Sequence, residues 1–222
     1  MPTVLITGCD TGLGRGFALH YARAGYTVLA TYRELANRLP DDDRIKHYAL
    51  DVSRAEAFAT LKEELGSRPI DILLSNAGIG REKARFGAVD FEYLAGMWAV
   101  NTVGPLRLVE TFIDNVIASE QRKIVLISSR MGSIAANLSG GHYGYRASKA
   151  ALNAIGRSLA IDLFERGILV GTFHPGWVNT VGDERAPLSV EESVASIVDV
   201  IRRLGSHETG QFYDYAGRQL PW

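Results

Sequence analysis

The sequence predicts a doubly wound α/β fold, a parallel sheet with helices on both faces, on three observations. Short apolar runs alternate with longer stretches of helical period from one end of the chain to the other. Several of the runs are apolar throughout, as strands are when helices cover both sides of a sheet. The turn after the first run is rich in glycine and opens directly into a helical stretch.

The elements follow in order. Residues 3–7 read as the first strand and 14–24 as the first helix, then 27–32 and 45–50 as strands. A helix is expected over 55–65, where Ser53 and Glu56 have the spacing of a capping box. A strand at 70–75 leads to a long helix over 90–119, and a strand at 123–128 to a second long helix over 144–166. The strand at 169–174 is followed by Ser189 and Glu192, a second capping box, then by a helix over 190–204 and a last strand at 211–215. The seven strands imply a seven-stranded sheet. With no linker, repeat or composition break, residues 1–222 are expected to form one domain.

Composition narrows the function classes. Apolar residues make up 46% of the 222 and charged residues 22%, so a large core is affordable in an ordinary globular chain. A net charge of −1 with no basic or acidic block gives no sign of nucleic-acid or membrane-surface binding. No apolar stretch reaches the ~20 residues that span a bilayer. The start, Met1-Pro2-Thr3-Val4, reads as a strand and not as a signal peptide. One cysteine excludes an internal disulfide, so a cytoplasmic location is expected. The five histidines show no metal-ligand spacing, and no metal is expected.

The glycine turn runs Thr7-Gly8-Cys9-Asp10-Thr11-Gly12-Leu13-Gly14. Between a strand and a helix, such a turn brings backbone close to a pyrophosphate, and the helix start offers it free N–H groups. This is the dinucleotide-binding form of the doubly wound, or Rossmann, fold. The end of the second strand selects the nucleotide: a carboxylate there binds a ribose 2′-hydroxyl, an arginine a 2′-phosphate. The chain has Tyr32-Arg33, which favours NADP(H) while leaving NAD(H) possible, and places Tyr32 on the adenine side.

Tyr145 and Lys149 stand four residues apart in a predicted helix, about one turn, and so share a face. A free phenol, with pKa about 10, is a poor acid/base at neutral pH. A lysine ammonium some ~4–5 Å away would favour the phenolate and bring Tyr145 toward neutrality. The phenol would then serve as general acid/base at a carbonyl or carbinol oxygen.

Other segments fall into a known order around this pair: Leu50-Asp51-Val52, Asn76-Ala77-Gly78, Val100-Asn101, Ser128-Ser129 and Pro175-Gly176-Trp177-Val178-Asn179-Thr180. Together they resemble the short-chain dehydrogenase/reductase family in its ordinary, non-extended branch. The ending at 212–218 and the short stretch after Thr180 are similar to C-factor and sniffer-like carbonyl reductases. The resemblance implies a nicotinamide-dependent oxidoreductase acting on a small carbonyl or alcohol substrate. It implies catalytic roles for Asn101, Ser129, Tyr145 and Lys149, with Asn101 in a proton relay to Lys149. It places Gly8, Asp10, Thr11, Gly12, Leu13 and Gly14 at the pyrophosphate, Arg33 at the 2′-phosphate, and Asp51 and Val52 near adenine. Asn76, Ala77 and Gly78 would border the ribose, and Pro175, Gly176, Val178 and Thr180 the nicotinamide. It also implies a homodimer or homotetramer through the two long helices.

The family spaces its serine and tyrosine more closely than the sixteen residues from Ser129 to Tyr145. Ser133 fits the count better. Ser129 is preferred because its place at a strand end fixes its position, and the Gly140-Gly141 loop absorbs the extra length. Cys9 reads as a packing residue, His142 as a neighbour of Tyr145 within reach of substrate but without a catalytic role, and Trp177 as wall. The brief segment 181–187 leaves little for a lid, so an open, permissive pocket is expected. A nucleotide-sensing protein with little turnover is the alternative; an extended-branch epimerase would need a further substrate domain.

Overall fold

The computed structural model describes residues 1–80, 84–180 and 185–222. Among these, seven strands form one sheet: β1 (Thr3–Ile6), β2 (Thr27–Tyr32), β3 (Ile45–Ala49), β4 (Ile72–Ser75), β5 (Lys123–Ile127), β6 (Leu169–His174) and β7 (Phe212–Asp214). Their order is β3-β2-β1-β4-β5-β6-β7 and every neighbouring pair is parallel. The helices are α1 (Gly12–Arg23), α2 (Ala55–Leu65), α3 (Phe91–Trp98), α4 (Gly104–Ile117), α5 (Tyr143–Asp162) and α6 (Val190–Arg203). The doubly wound Rossmann-like α/β fold expected from the sequence is the one observed.

Alternate residues of each strand feed two cores. Val4, Ile6, Val28, Ala30, Ile72, Leu74 and Val125 pack with Phe17 and Tyr21 of α1 and Val194, Ile197 and Ile201 of α6. Leu5, Leu29, Leu73, Ile124 and Leu126 pack on the other face with Phe58 and Leu61 of α2, Phe112 of α4 and Leu152 of α5. Each fully buried aromatic or leucine removes apolar area worth about 1.5–3 kcal/mol from water. Lys123 ties α6 to the sheet: its buried Nζ donates to the carbonyls of Ile201 and Arg202, at the negative end of the α6 dipole. No helix among the described residues is long and apolar enough to cross a membrane.

Three local expectations change. The long helix over 90–119 is α3 and α4 joined by a π turn at Ala99–Val103, which contains Asn101. The expected 144–166 helix stops at Asp162, and a 3₁₀ turn, Phe164–Arg166, runs into Gly167 at φ 69°. Ser53 does not cap α2. Its hydroxyl donates to Asp51, Glu56 pairs with Arg54, and Arg54 occupies the cap without a side-chain bond. The Ser189–Glu192 capping box of α6 forms as expected.

The chain leaves β1 in one direction for β2 and β3 and returns to the other side at β4. The carboxyl ends of β1 and β4 therefore flank the point where the winding reverses, the place where such sheets hold ligands.

Candidate active site

A cleft of about 820 Å³ lies at that reversal point. Its floor starts with the turn between β1 and α1. Thr7 Oγ1 accepts from the backbone N–H groups of Asn76 and Ala77, and Asn76 Nδ2 donates to the carbonyls of Thr7 and Gly8. These bonds clamp the β1 and β4 turns together. Gly14 admits no side chain, since a β-carbon there would fall 2.0 Å from the Gly8 carbonyl oxygen. Thr11 caps α1 without a side-chain hydrogen bond, so the amides of the first turn remain available to an anion.

Gly8, Asp10, Thr11, Gly12, Leu13, Arg33, Asp51, Val52, Asn76, Ala77, Gly78, Tyr145, Lys149, Pro175 and Thr180 all line the cleft. Gly14, Asn101, Ser129, Gly176 and Val178 are not part of that lining. Val178 bridges to Leu188, and Gly176 packs against Leu188 and Tyr215. Asn37, Ser53, Ile79, Gly80, Ile127 and Ser128 line it as well and were not assigned to the site from the sequence. Ser128 and Ile127 follow from ending the same strand as Ser129; for Asn37 and Gly80 the sequence carries no comparable signal. A depression of about 920 Å³ between the ends of β2 and β3, lined by residues such as Arg38, Asp42 and His47, holds none of this chemistry.

At the adenosine end, exposed Arg33 stands on the rim, its backbone N–H 3.4 Å from Asp10 Oδ2. Burial acts to raise the Asp51 carboxyl. Two hydrogen bonds from Ser53 and the charges of Arg33 and Arg54 outweigh it, so the group sits below its ordinary range. Tyr32 does not face the adenine side. It is fully buried, its hydroxyl accepts from Leu39 N–H and meets His47 Nδ1, and burial pushes its phenol up to about 12. The cause is strand parity: Tyr32 shares a face with Val28 and Ala30, which pack under α1.

At the other end, Tyr145 and Lys149 of α5 face the cleft as one-turn spacing requires. Ser129, just past the end of β5, accepts from Met131 N–H at 3.1 Å and stands near enough to Tyr145 to act on its phenol. Ser133 is engaged elsewhere: its hydroxyl donates to the Trp222 carbonyl and accepts from Ala136 N–H. The expected lowering of Tyr145 is not observed. Burial raises the phenol, and the bond from Ser129 only partly opposes it. Lys149 is buried, donates from Nζ to the Ile127 carbonyl at 2.9 Å, and is pushed down to about 8 by burial. It remains mostly charged at pH 7, with its ammonium committed to a strand carbonyl.

Asn101 is fully buried on the π turn. Its side chain accepts from Ile79 N–H and donates to Ile79 C=O and Ser148 Oγ. Such bulges concentrate at functional sites because they redirect a backbone group without breaking the helix. Cys9 is buried, with its thiol pushed up by burial, and it packs in the core. Trp177 is exposed, and His142 holds a left-handed backbone at the start of α5. Of the segment 181–187 invoked for an open pocket, residues 181–184 lie outside the described residues.

The short chain dehydrogenase family model matches residues 2–188. The protein C-signal of Myxococcus xanthus is 39% identical over 167 residues, covering 75% of this chain and 99% of that one. The 1-hydroxy-2-glutathionyl-2-methyl-3-butene dehydrogenase of a Rhodococcus strain is 29% identical over the full length of both chains. Among solved structures, the carbonyl reductase Sniffer of Drosophila melanogaster superposes with a TM-score of 0.88 at 32% identity, each chain fully covered. A carbonyl reductase of Pseudomonas aeruginosa PAO1 in complex with NADP gives 0.85 at 32% identity, again over both whole chains. Sequence, sheet order and cleft thus agree: this chain belongs to the short-chain dehydrogenase family and is a nicotinamide-dependent oxidoreductase.

Proposed function

We propose that the protein is an NADP(H)-dependent carbonyl reductase with Tyr145 as its general acid/base. The observation that carries this reading is Tyr145 and Lys149 facing one cleft from the same side of α5, with Ser129 near enough to act on the phenol. The open amides of α1, the tight Gly14 contact and Arg33 on the rim fit a dinucleotide phosphate chain with a 2′-phosphate. The solved carbonyl reductases with bound NADP or NADPH support the same choice. NAD(H) is retained as a second nucleotide, since exposed Arg33 on the rim would lose a phosphate partner without repelling a ribose 2′-hydroxyl.

When bound, the reduced nicotinamide supplies the hydride. The protein's part is the proton. Ser129 accepts from Met131 N–H and, with substrate bound, would turn its O–H from Tyr145 to the substrate oxygen as charge develops there. Tyr145 gives its phenolic proton to that oxygen, so carbonyl, hydride and proton make the alcohol. Lys149, near pKa 8, holds a proton at pH 7 and returns one to the phenolate. Asn101 fixes the Ile79 backbone beside this group, and a relay through its π turn to Lys149 belongs to the proposal. So do the nucleotide contacts of Asp51, Asn76, Pro175, Gly176, Val178 and Thr180, a single catalytic domain, and a cytoplasmic homodimer or homotetramer pairing through α4 and α5.

Oxidation of NADPH and of NADH is measured against dicarbonyls, quinones and aromatic aldehydes, with Tyr145→Phe as control. NADPH-preferring turnover lost in the variant is expected. Similarity to the protein named C-signal favours a second reading, a nucleotide-dependent signalling protein. Tight NADPH binding without turnover on any substrate would favour it.

A further inference from the structure

The end of β5 meets α5 residue by residue. The Ile127 carbonyl accepts from Lys149 Nζ at 2.9 Å, the Ser128 hydroxyl donates to Asn153 Oδ1, and Ser129 stands near enough to Tyr145 to act on its phenol. Consecutive residues of the strand end thus engage Lys149, Asn153 and Tyr145. On α5 these three follow at one-turn spacing, so their side chains form a line along one face. Ile127, Ser128, Tyr145 and Lys149 line the cleft, whereas Asn153 is not part of its lining.

Asn153 sits where helix and sheet are close together. A β-carbon on Gly156, just beyond it, would fall 2.5 Å from Thr172 Oγ1. An apolar side chain would fill such a layer at less cost than an amide. Asn153 is 3% exposed, and its Nδ2 has no hydrogen-bond partner among the described residues. A buried donor left without an acceptor costs stability. What the amide supplies in return is its bond to Ser128. That hydroxyl has a second acceptor in the Lys149 carbonyl at 3.5 Å, so the bond is not needed merely to satisfy Ser128.

We infer that Asn153 is a positioning residue: through Ser128 it holds the end of β5 in register with α5, and so sets where the Ile127 carbonyl meets Lys149 and where Ser129 stands beside Tyr145. Without this tie the strand end can shift along the helix face, and Lys149 loses the acceptor that favours its charged form. Tyr145 shares that face, and Asp10, Arg33 and Asp51 line the same cleft. None of these groups contributes to the lowering of Lys149, which burial alone causes. The effect on turnover rests on the acid/base reading of the cleft; the placing of Lys149 does not.

The test compares wild type with Ser128→Ala, Asn153→Leu and the double variant. Carbon NMR of the Lys149 side chain, its signal identified by loss in Lys149→Met, gives the titration midpoint of the ammonium without substrate or nucleotide. Each single variant is expected to lower that midpoint by about one pH unit or somewhat less. It should also lower kcat by about tenfold and keep the KM for NADPH within about threefold. Both changes break one tie, so the double variant should lose no more than the worse single. The Tm of Asn153→Leu should hold, because the unpaired amide leaves with the substitution. An unmoved midpoint in both singles overturns the inference; with a lower Tm it marks a packing role only. Losses that multiply in the double variant overturn it too, as does NADPH affinity that falls as far as kcat. Ser128→Ala removes a single oxygen and decides alone if Asn153→Leu fails to fold. Full turnover by Tyr145→Phe, or none by wild type, would sink the acid/base reading, and the Lys149 midpoint would still decide the tie.

Discussion

Gly80 lies flat against the ring of Tyr145, and a β-carbon on Gly80 would fall 2.3 Å from Cε2 and 2.5 Å from Cδ2. That contact fixes the ring from the side opposite α5. Gly80→Ala must displace the phenol ring. A displacement of about an ångström is expected to lower kcat by about 10- to 100-fold. NADPH affinity should fall less than kcat, because Gly80 meets the Tyr145 ring and is not part of the phosphate-binding turn. Steady-state kinetics with NADPH titrated by fluorescence check both. An unaltered kcat would show that the ring is free to shift without loss.

Lys149 costs the fold stability. Its ammonium falls from 10.5 to about 8 on burial, which at ~1.4 kcal/mol per unit is about 3 kcal/mol against folding at neutral pH. The unfolded chain binds the extra proton between pH 8 and 10.5, so the penalty grows as pH falls through that window and is constant below it. Lys149→Met is therefore expected to raise Tm by several degrees at pH 7 while abolishing turnover. Thermal unfolding at pH 7 and pH 10 measures this, with the gap between variant and wild type narrowing at the higher pH.

His174 makes the protein acid-sensitive. Burial pulls its imidazole down to about 4; Asp214 opposes the shift and Arg130 adds to it, and Nδ1 has no hydrogen-bond partner among the described residues. Between pH 6.5 and 4 the unfolded state holds a proton that the folded state lacks, so stability is full above 6.5 and falls as pH drops toward 4. The loss is of order 3 kcal/mol. Urea unfolding of His174→Gln should show a flatter pH dependence than wild type across that interval.

Arg33 is the only one of the proposed nucleotide contacts whose loss should depend on which nucleotide is offered. Removing a charged hydrogen-bond donor to a phosphate costs about 1.5–3 kcal/mol, or roughly 10- to 100-fold. Arg33→Ala is expected to raise the KM for NADPH by that factor and leave the KM for NADH within about threefold. The NADPH effect should shrink at high salt, since Arg33 is exposed. Equal losses for both nucleotides would remove the 2′-phosphate assignment.

Much of the fold was legible because its signals are local. The apolar runs gave all seven strands, with only terminal residues shifted, and the Ser189–Glu192 box marked the start of α6. The Ser53–Glu56 box had the same spacing and failed, because Asp51 offers the Ser53 hydroxyl a nearer acceptor and Arg54 takes Glu56. Tyr32 was misplaced for a different reason. In a parallel sheet both faces are apolar, so the alternation that would assign a strand residue to one side leaves no trace in the sequence. The π turn at Asn101 was invisible too, since a single added residue per turn does not disturb an apolar helical pattern.

The sequence by itself determined the sheet, the glycine turn and the one-turn spacing that puts Tyr145 and Lys149 on one face. Periodicity and backbone freedom are properties of neighbouring residues. Only the tertiary structure decided where the charges and hydroxyls point. It turned Lys149 onto the Ile127 carbonyl, brought Ser129 near Tyr145, engaged Ser133 with Trp222 and set Gly80 against the phenol ring. Each of these pairs brings together residues from different parts of the chain. Their energies come from desolvation and close approach, which exist only once the sheet and its helices have closed around them.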